Sequence, residues 1–469
     1  MRPLWTIDEI KDVLEIDSPL TGDVHGISIH SKEVKPGDLF IPLKGENHDA
    51  HAFVGEALAH GAIATLVDHF PSNLEMTPRL LHVPDTYQAL ITLARHARHR
   101  SKAHIIGITG SMGKTTTKSM LDLILQKQGI TSSSVKSFNN HWGVPVSLCR
   151  LPQEATYGIF EVGMNHAGEI ARLVEILKPT IALITEVAPV HIGNFKNFGE
   201  LIAAKAEIFN EMSSAGIVIL NRDSESYDQL VSLARKQGVT AILTFGHHPN
   251  ATLSIQSIQV DQTSQTVTFT TPQDQHAFTL NAIGAHWAMN ALGALTVAYA
   301  VCTDLEKACK SLKEFELLDG RGKQYALPHP AGGMILVIDE SYNSNPTALR
   351  KALESLKALE PVNGGRRIAV LGDMYEVGVD SSQVHQSFAE DILQNEIDLV
   401  YTSGKEMIHL YNALPSEKKG FHQETVTPIA EKVLRDCLPG DIILVKGSRG
   451  GGAFPRMKEV IVTLMEGVQ

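Results

Sequence analysis

Thr109-Gly110-Ser111-Met112-Gly113-Lys114-Thr115-Thr116 follows the apolar run His104 to Thr109 and precedes a helical pattern over Thr115 to Lys127. Strand, glycine loop and helix in that order predict an α/β fold with a phosphate-holding turn. Glycines permit the tight loop, and backbone N–H groups at a helix start can hold anionic oxygens. On this reading Gly110, Ser111, Met112, Gly113, Lys114, Thr115 and Thr116 cradle a nucleotide. Lys114 reaches the β- and γ-phosphates and the Thr115 hydroxyl binds Mg2+. Ile108 stands where the longer GxxxxGK pattern has its first glycine.

The same alternation continues on both sides. Strand patterns at Tyr157 to Val162, Ile181 to Thr185 and Ile217 to Asn221 are interleaved with helical ones at Tyr87 to His99, Ala167 to Leu177 and Phe198 to Met212. That predicts a mostly parallel sheet covered by helices. Ser254 to Val260 and Gln265 to Thr270 predict an antiparallel hairpin or edge, and Asn290 to Ala308 one long helix. Upstream, Thr6 to Val13 reads as a helix capped by Thr6, and Asp38 to Leu43 and Ala62 to Val67 as strands around a helix over Phe53 to His60. Downstream, Met334 to Asp339, Arg367 to Leu371, Leu399 to Thr402 and Ile442 to Val445 read as strands. Helices are expected between them at Thr347 to Leu359, Ser381 to Gln394 and Pro428 to Leu438. Turns near Pro84-Asp85 and Leu318 to Gly322 divide the chain into 1–84, 85–318 and 319–469, in keeping with three domains for 469 residues.

Composition narrows the function classes. The balance is 41 basic against 52 acidic side chains, a net charge of −11, which disfavours a nucleic-acid partner but not a local nucleotide site. Four cysteines at uninformative spacing make no metal motif or disulfide framework. No apolar run is long enough to span a bilayer. A cytoplasmic protein is expected.

Several polar groups lie where chemistry is expected. Glu161 ends a strand, a natural place for a Mg2+ carboxylate or for a solvated acid. His191 follows the Ala188-Pro189 turn and is either structural or part of the same metal site. Lys205, in Ala203 to Phe209, is by composition an unremarked helical lysine. Asp339 precedes the polar loop Glu340 to Pro346, either a binding edge or a turn into the next helix. Asn139-Asn140-His141-Trp142-Gly143 reads equally as a satisfied loop network or a ligand contact. Lys446 to Arg449 are exposed or face an anion.

Taken in order, these segments resemble the Mur ligases, and among them the member that adds D-alanyl-D-alanine. The resemblance runs nearly the whole chain, through His30-Ser31-Lys32, Gly37 to Phe40, Thr109 to Thr116, Phe138 to Pro145, Glu161 to Asn165, His191, Ala204 to Phe209, Gly284-Ala285-His286, Asn290, Asp339 to Pro346, Leu371 to Met374 and Lys446 to Arg449. It implies a small N-terminal α/β domain for a UDP precursor, a central P-loop ATPase domain and a closing C-terminal Rossmann-like domain. The expected reaction joins D-alanyl-D-alanine to UDP-N-acetylmuramoyl tripeptide through an acyl phosphate, with ATP giving ADP and phosphate, in a monomer.

By the same resemblance Lys114, His191 and Lys205 are catalytic, and Thr115, Glu161, His191 and a carbamylated Lys205 hold Mg2+. Asn290, Arg321, Asp339 and Tyr342 contact ATP, with Asp339 on the ribose. Ser31, Asn139, Asn140, His141 and His286 lie on the substrate side. Lys32, Trp287 and Glu340 stand where arginine, asparagine and aspartate are frequent. Competing expectations are a Mur ligase adding one amino acid, a folylpolyglutamate synthase, and a nucleotide-regulated scaffold.

Overall fold

The computed structural model describes residues 2–45, 48–70, 74–135, 137–188, 194–261, 264–375, 377, 380–448 and 457–467. Its centre is a nine-stranded sheet built around the strand His104–Thr109. Ile181–Ile184 pairs parallel on one side of it and Tyr157–Glu161 on the other. Ile105, Ile106 and Ile108 are fully buried, because helices cover both faces of a parallel sheet. The chain steps from His104–Thr109 to the edge strand Thr131–Ser133, returns to Tyr157–Glu161, and then crosses to Ile181–Ile184. The strand order therefore reverses at the central strand, and the crevice at its carboxyl end is the ligand position such sheets provide.

Ile217–Asn221 and Ala241–Gly246 extend the sheet in parallel. Leu253–Val260, Gln265–Thr270 and Gln275–Leu280 then form an antiparallel meander, one strand more than the expected hairpin. The single helix expected over Asn290 to Ala308 is two. Ala285–Ala300 ends where Cys302 adopts φ 55°, and Leu305–Ser311 begins at Asp304, whose carboxylate accepts Lys307 N–H. The cap competes with continuation of the first helix. Likewise Phe198 to Met212 is the helix Phe198–Ala206 followed by a 3-10 turn over Glu207–Phe209.

The first unit carries the parallel strands Gly26–Ser28, Asp38–Phe40, Ala64–Val67 and Leu80–His82. Its helix Ile7–Leu14 is capped by Thr6 as expected, the hydroxyl accepting Glu9 N–H at 3.1 Å. Asp85 caps Thr86–Arg100 in the same manner. One apolar cluster joins Ile27 and Leu39 of the first sheet to Ile105 and Phe160 of the second. Trp5 Nε1 donates to Cys149 O at 2.8 Å, and Arg150 Nε to Ile27 O at 2.6 Å, so these units share a core across the turn at 84–85.

The third unit is a six-stranded sheet in the order Lys323–Pro328, Met334–Glu340, Ile442–Lys446, Arg367–Gly372, Leu399–Ser403, Lys419–Gln423. Only Lys323–Pro328 pairs antiparallel. Both edge strands escaped the sequence reading, since half-exposed edges lack a continuous apolar run. Helices Pro346–Lys357, Ser381–Gln394, Met407–Ala413, Val426–Asp436 and Lys458–Gly467 cover its two faces.

Candidate active site

The loop after His104–Thr109 is shaped by two glycines in the left-handed half of φ space, Gly110 at 149° and Gly113 at 80°. A Cβ at Gly110 would overlap Thr185 Oγ1, and one at Gly113 would overlap Asn290 Oδ1. Thr185 Oγ1 donates to Met112 O at 2.6 Å, and Ser111 N–H to Glu186 O at 2.6 Å. Segment 185–188, at the end of the neighbouring strand, thus pins the loop. Lys114 opens the helix Lys114–Gln126, and its Nζ donates to Gly110 O at 2.7 Å. Desolvation lowers its pKa from the usual lysine value, with Arg321 adding to the effect and Glu161 opposing it.

Glu161 is 1% exposed. Its carboxylate accepts the Thr115 hydroxyl at 2.7 Å on one oxygen and Asn139 Nδ2 at 2.8 Å on the other. Glu161 N–H donates to Ser134 Oγ at 3.3 Å. One buried acid therefore ties the phosphate loop to the Asn-Asn-His-Trp segment. A hydroxyl and a carboxylate in contact beside a lysine are hard oxygen donors of the kind Mg2+ takes. Lys205 is 3% exposed, and its side-chain amine has no hydrogen bond or ion pair among the described residues. Burial, with the charge of Lys114 nearby, holds its pKa well below 10.5. His191 lies outside the described residues.

The far wall of the cavity comes from the third unit. Arg321 stacks over the Tyr342 ring with its Cζ 4.1 Å from the centroid. Arg321 Nη2 and the Tyr342 hydroxyl reach Ser137 Oγ at 3.4 and 3.3 Å. Asn290, His286, Trp287, Asn139, Glu161, Arg321 and Tyr342 all line the same cavity as the phosphate loop. Desolvation draws His286 down to about 4, against the pull of Glu340, so its ring is neutral near pH 7.

Asp339 is placed differently from its expected ribose contact. It is fully buried, and its carboxylate accepts Gly320 N–H at 2.9 Å, Ser341 N–H at 3.1 Å, Ser341 Oγ at 2.5 Å and Lys458 Nζ at 2.9 Å. The carboxylate that faces the cavity belongs to the next residue, Glu340, which also accepts Lys446 Nζ at 2.9 Å.

Three expected substrate-side residues stand outside the cavity lining. Ser31 Oγ donates to Glu56 at 2.5 Å in the first unit. Asn140 Oδ1 accepts the N–H groups of Trp142 and Gly143, closing the turn into the helix Gly143–Cys149. His141 is exposed, its ring 6.2 Å from Tyr87. Phe138, in the same segment, lies 6.0 Å ring to ring from His30, beside Ser31. The segment therefore bridges the first two units.

Thr185, Glu186, Asn221 and Phe245 also line the cavity but drew no attention in the sequence. Thr185 and Glu186 follow the strand Ile181–Ile184, and Asn221 and Phe245 lie at the carboxyl ends of two further parallel strands. That position was the available signal. Ser137 and Lys351 had none.

Three sequence profiles match in order: "Mur ligase family, catalytic domain" over residues 23–98, "Mur ligase middle domain" over 108–298, and "Mur ligase, glutamate ligase domain" over 329–449. The chain is 32% identical over 451 residues to the UDP-N-acetylmuramoyl-tripeptide–D-alanyl-D-alanine ligase of Rickettsia prowazekii strain Madrid E, covering 95% of this chain and 97% of that one. It is 31% identical to the enzyme of the same name from Escherichia coli strain K12, covering 98% of each. The crystal structure of MurF from Acinetobacter baumannii superposes with a TM-score of 0.83 at 28% identity, over 98% of this chain and 99% of that one. Phosphate loop, buried acid and bridging Asn-Asn-His-Trp segment thus occur together in a chain that belongs to the Mur ligase family.

Proposed function

We propose that this chain joins D-alanyl-D-alanine to UDP-N-acetylmuramoyl tripeptide at the expense of ATP, releasing ADP and phosphate. Full-length similarity to ligases of that name supports the reaction. The observation that carries the mechanism is the Thr115–Glu161–Asn139 network, which puts nucleotide and acceptor sides in contact through one carboxylate.

A carboxylate does not acylate an amine, because its leaving group would be oxide. The acceptor's carboxylate oxygen attacks the γ-phosphorus, the bond to the β–γ bridging oxygen breaks, and ADP leaves. The amine of D-alanyl-D-alanine then attacks the acyl-phosphate carbon. The tetrahedral adduct loses a proton and expels phosphate, leaving the amide. Lys114 faces the transferring phosphoryl group and Arg321 approaches it from the third unit, both offsetting charge that spreads over its oxygens. Thr115 and Glu161 hold Mg2+, which when bound screens the phosphate oxygens from the incoming carboxylate. Carbamylated Lys205 supplies a further anionic ligand, since a desolvated, neutral amine is the form that adds CO2. His191 would contribute to a second metal position.

Asn290 and Tyr342 take the base. The ribose hydroxyls pass to Glu340, whose carboxylate faces the cavity, while Asp339 builds the turn that carries Arg321. The first unit, with Ser31, takes the uridine diphosphate end, and Asn139, Asn140, His141 and His286 attend the acceptor. No helix among the described residues is long and apolar enough to cross a membrane, and the four cysteines are unpaired. Both support a cytoplasmic enzyme.

The test is a matrix of ATP, UDP-muramoyl acceptors and amines, read as amide product and phosphate. D-alanyl-D-alanine with the tripeptide acceptor should give the highest turnover. Preference for a single amino acid, or phosphate release that needs folate and no muramoyl acceptor, would overturn the assignment.

A further inference from the structure

A second cluster of chemistry-bearing side chains lies in the first unit, in none of the roles above. His51 is 2% exposed, and each of its ring nitrogens faces a carboxylate. Asp49 Oδ1 is 2.7 Å from Nδ1 and Asp68 Oδ1 is 3.3 Å from Nε2. Asp68 Oδ1 also lies 2.5 Å from His69 Nδ1, and the two imidazole rings pack 4.2 Å apart. One donor atom from each of Asp49, His51 and His69 falls within 4.8 Å of the other two. The donors come from two separate stretches, the turn Ala50–Phe53 with its cap Asp49, and the residues after the strand Ala64–Val67.

We propose that Asp49, His51 and His69 bind a divalent transition ion of borderline softness, Zn2+ foremost. Two imidazoles and a carboxylate select such an ion over Mg2+, which prefers oxygen alone. Ligands at about 2.0–2.2 Å from one ion stand roughly 3.3–3.5 Å apart in a tetrahedral site, so modest side-chain rotations close the set. The ion replaces the proton on His51 Nδ1. In the structure Nε2 accepts Asp68 N–H at 3.3 Å, so the displaced Nδ1 proton moves to Nε2 and turns toward Asp68 Oδ1, the carboxylate–histidine–metal arrangement that fixes a ligand's tautomer. Water fills the fourth position.

The site acts as a staple. Lys44 and Asp49 pair across an antiparallel bridge, Gly45 N–H donates to His48 O at 2.8 Å, and Ala50 N–H to Leu43 O at 3.1 Å. These bonds close the loop from 44 to 49. Trp142 of the central unit packs on Gly45, its Cη2 3.2 Å from where a Cβ would lie. An ion on Asp49 anchors the base of that loop to the end of the strand Ala64–Val67. The site stands whether or not the ligation chemistry is as proposed.

The experiment uses the full chain without a polyhistidine tag, stripped by chelator and dialysed. Co2+ titration should give the visible absorption of a tetrahedral nitrogen–oxygen complex, displaced by Zn2+ at one ion per chain. Calorimetry should give a Zn2+ Kd of about 1 μM or tighter. His69→Asn changes an exposed residue, keeps the circular dichroism spectrum, and should weaken Zn2+ by at least about 10-fold. His51→Asn should weaken it further. No tetrahedral Co2+ spectrum, or Zn2+ binding unchanged in both variants, would overturn the proposal.

Discussion

Lys205 makes the most exacting prediction, because its amine is buried without a partner among the described residues. An ordinary lysine is neutral in roughly one molecule in 2,500 at pH 7; here burial and the Lys114 charge hold the pKa well below 10.5, and each unit of lowering multiplies the neutral fraction tenfold. The unfolded chain keeps this proton up to about pH 10.5, while the folded chain gives it up earlier. Between those two values the unfolded state binds more protons, so rising pH stabilises the fold by about 1.4 kcal/mol per unit from this residue alone. Lys205→Met keeps most of the bulk and removes the titration. In CO2-free buffer the variant is expected to be the more stable protein at pH 7. Its advantage should shrink as pH rises toward about 10.5. Urea unfolding of both proteins across that range measures the gap. Readmitting bicarbonate should raise the parent's mass by one CO2 and its turnover with it, whereas the variant should lose at least about 100-fold in kcat and not respond. A gap flat with pH would refute the buried-amine argument, and an unmodified Lys205 in a fully active complex would refute the carbamate.

Other perturbations address the rest of the site. Glu161→Gln would turn an amide NH2 toward either the Thr115 hydroxyl or Asn139 Nδ2, both donors in the native network; kcat should fall by about 10²–10³ with a higher Mg2+ requirement, read by metal-dependent phosphate release. Gly113→Ala places a side chain at φ 80° against Asn290, at a backbone cost of about 1–2 kcal/mol, and should lower ATP affinity at least about 10-fold by fluorescent-nucleotide titration. Lys114→Ala should sharply reduce ligation while leaving the thermal transition close to the parent's. His286, neutral when folded down to about 4, loses its stabilising contribution as pH falls from about 6.5 toward that value. His286→Asn should therefore lose less stability than the parent over that range, as followed by unfolding midpoints.

The central sheet was legible because parallel strands covered on both faces are written as unbroken apolar runs. His104–Thr109 and Ile217–Asn221 were placed residue for residue. Capped or amphipathic helices such as Ser381–Gln394 were equally plain. Edge strands were not, since Lys323–Pro328 exposes one side and ends in proline. The break at Cys302 was also hidden, because Asp304 is a cap only once the chain has turned. In the site, the phosphate loop announced itself through local spacing. Lys205 could not, because only tertiary packing makes that amine dry. Asp339 and Glu340 are adjacent acids after one strand, and the alternation of side chains decides which faces the cavity. Sequence alone had no means of setting that phase.

The saturation of Asp339 has a consequence for regulation by distance. Its donors come from the turn holding Arg321, from Ser341 ahead of Tyr342, and from Lys458 in the helix Lys458–Gly467. That helix contributes none of the cavity-lining residues, yet one of its side chains helps neutralise the acid that holds the turn before Arg321. A change at Lys458 would therefore reach the turn that holds Arg321 through that carboxylate.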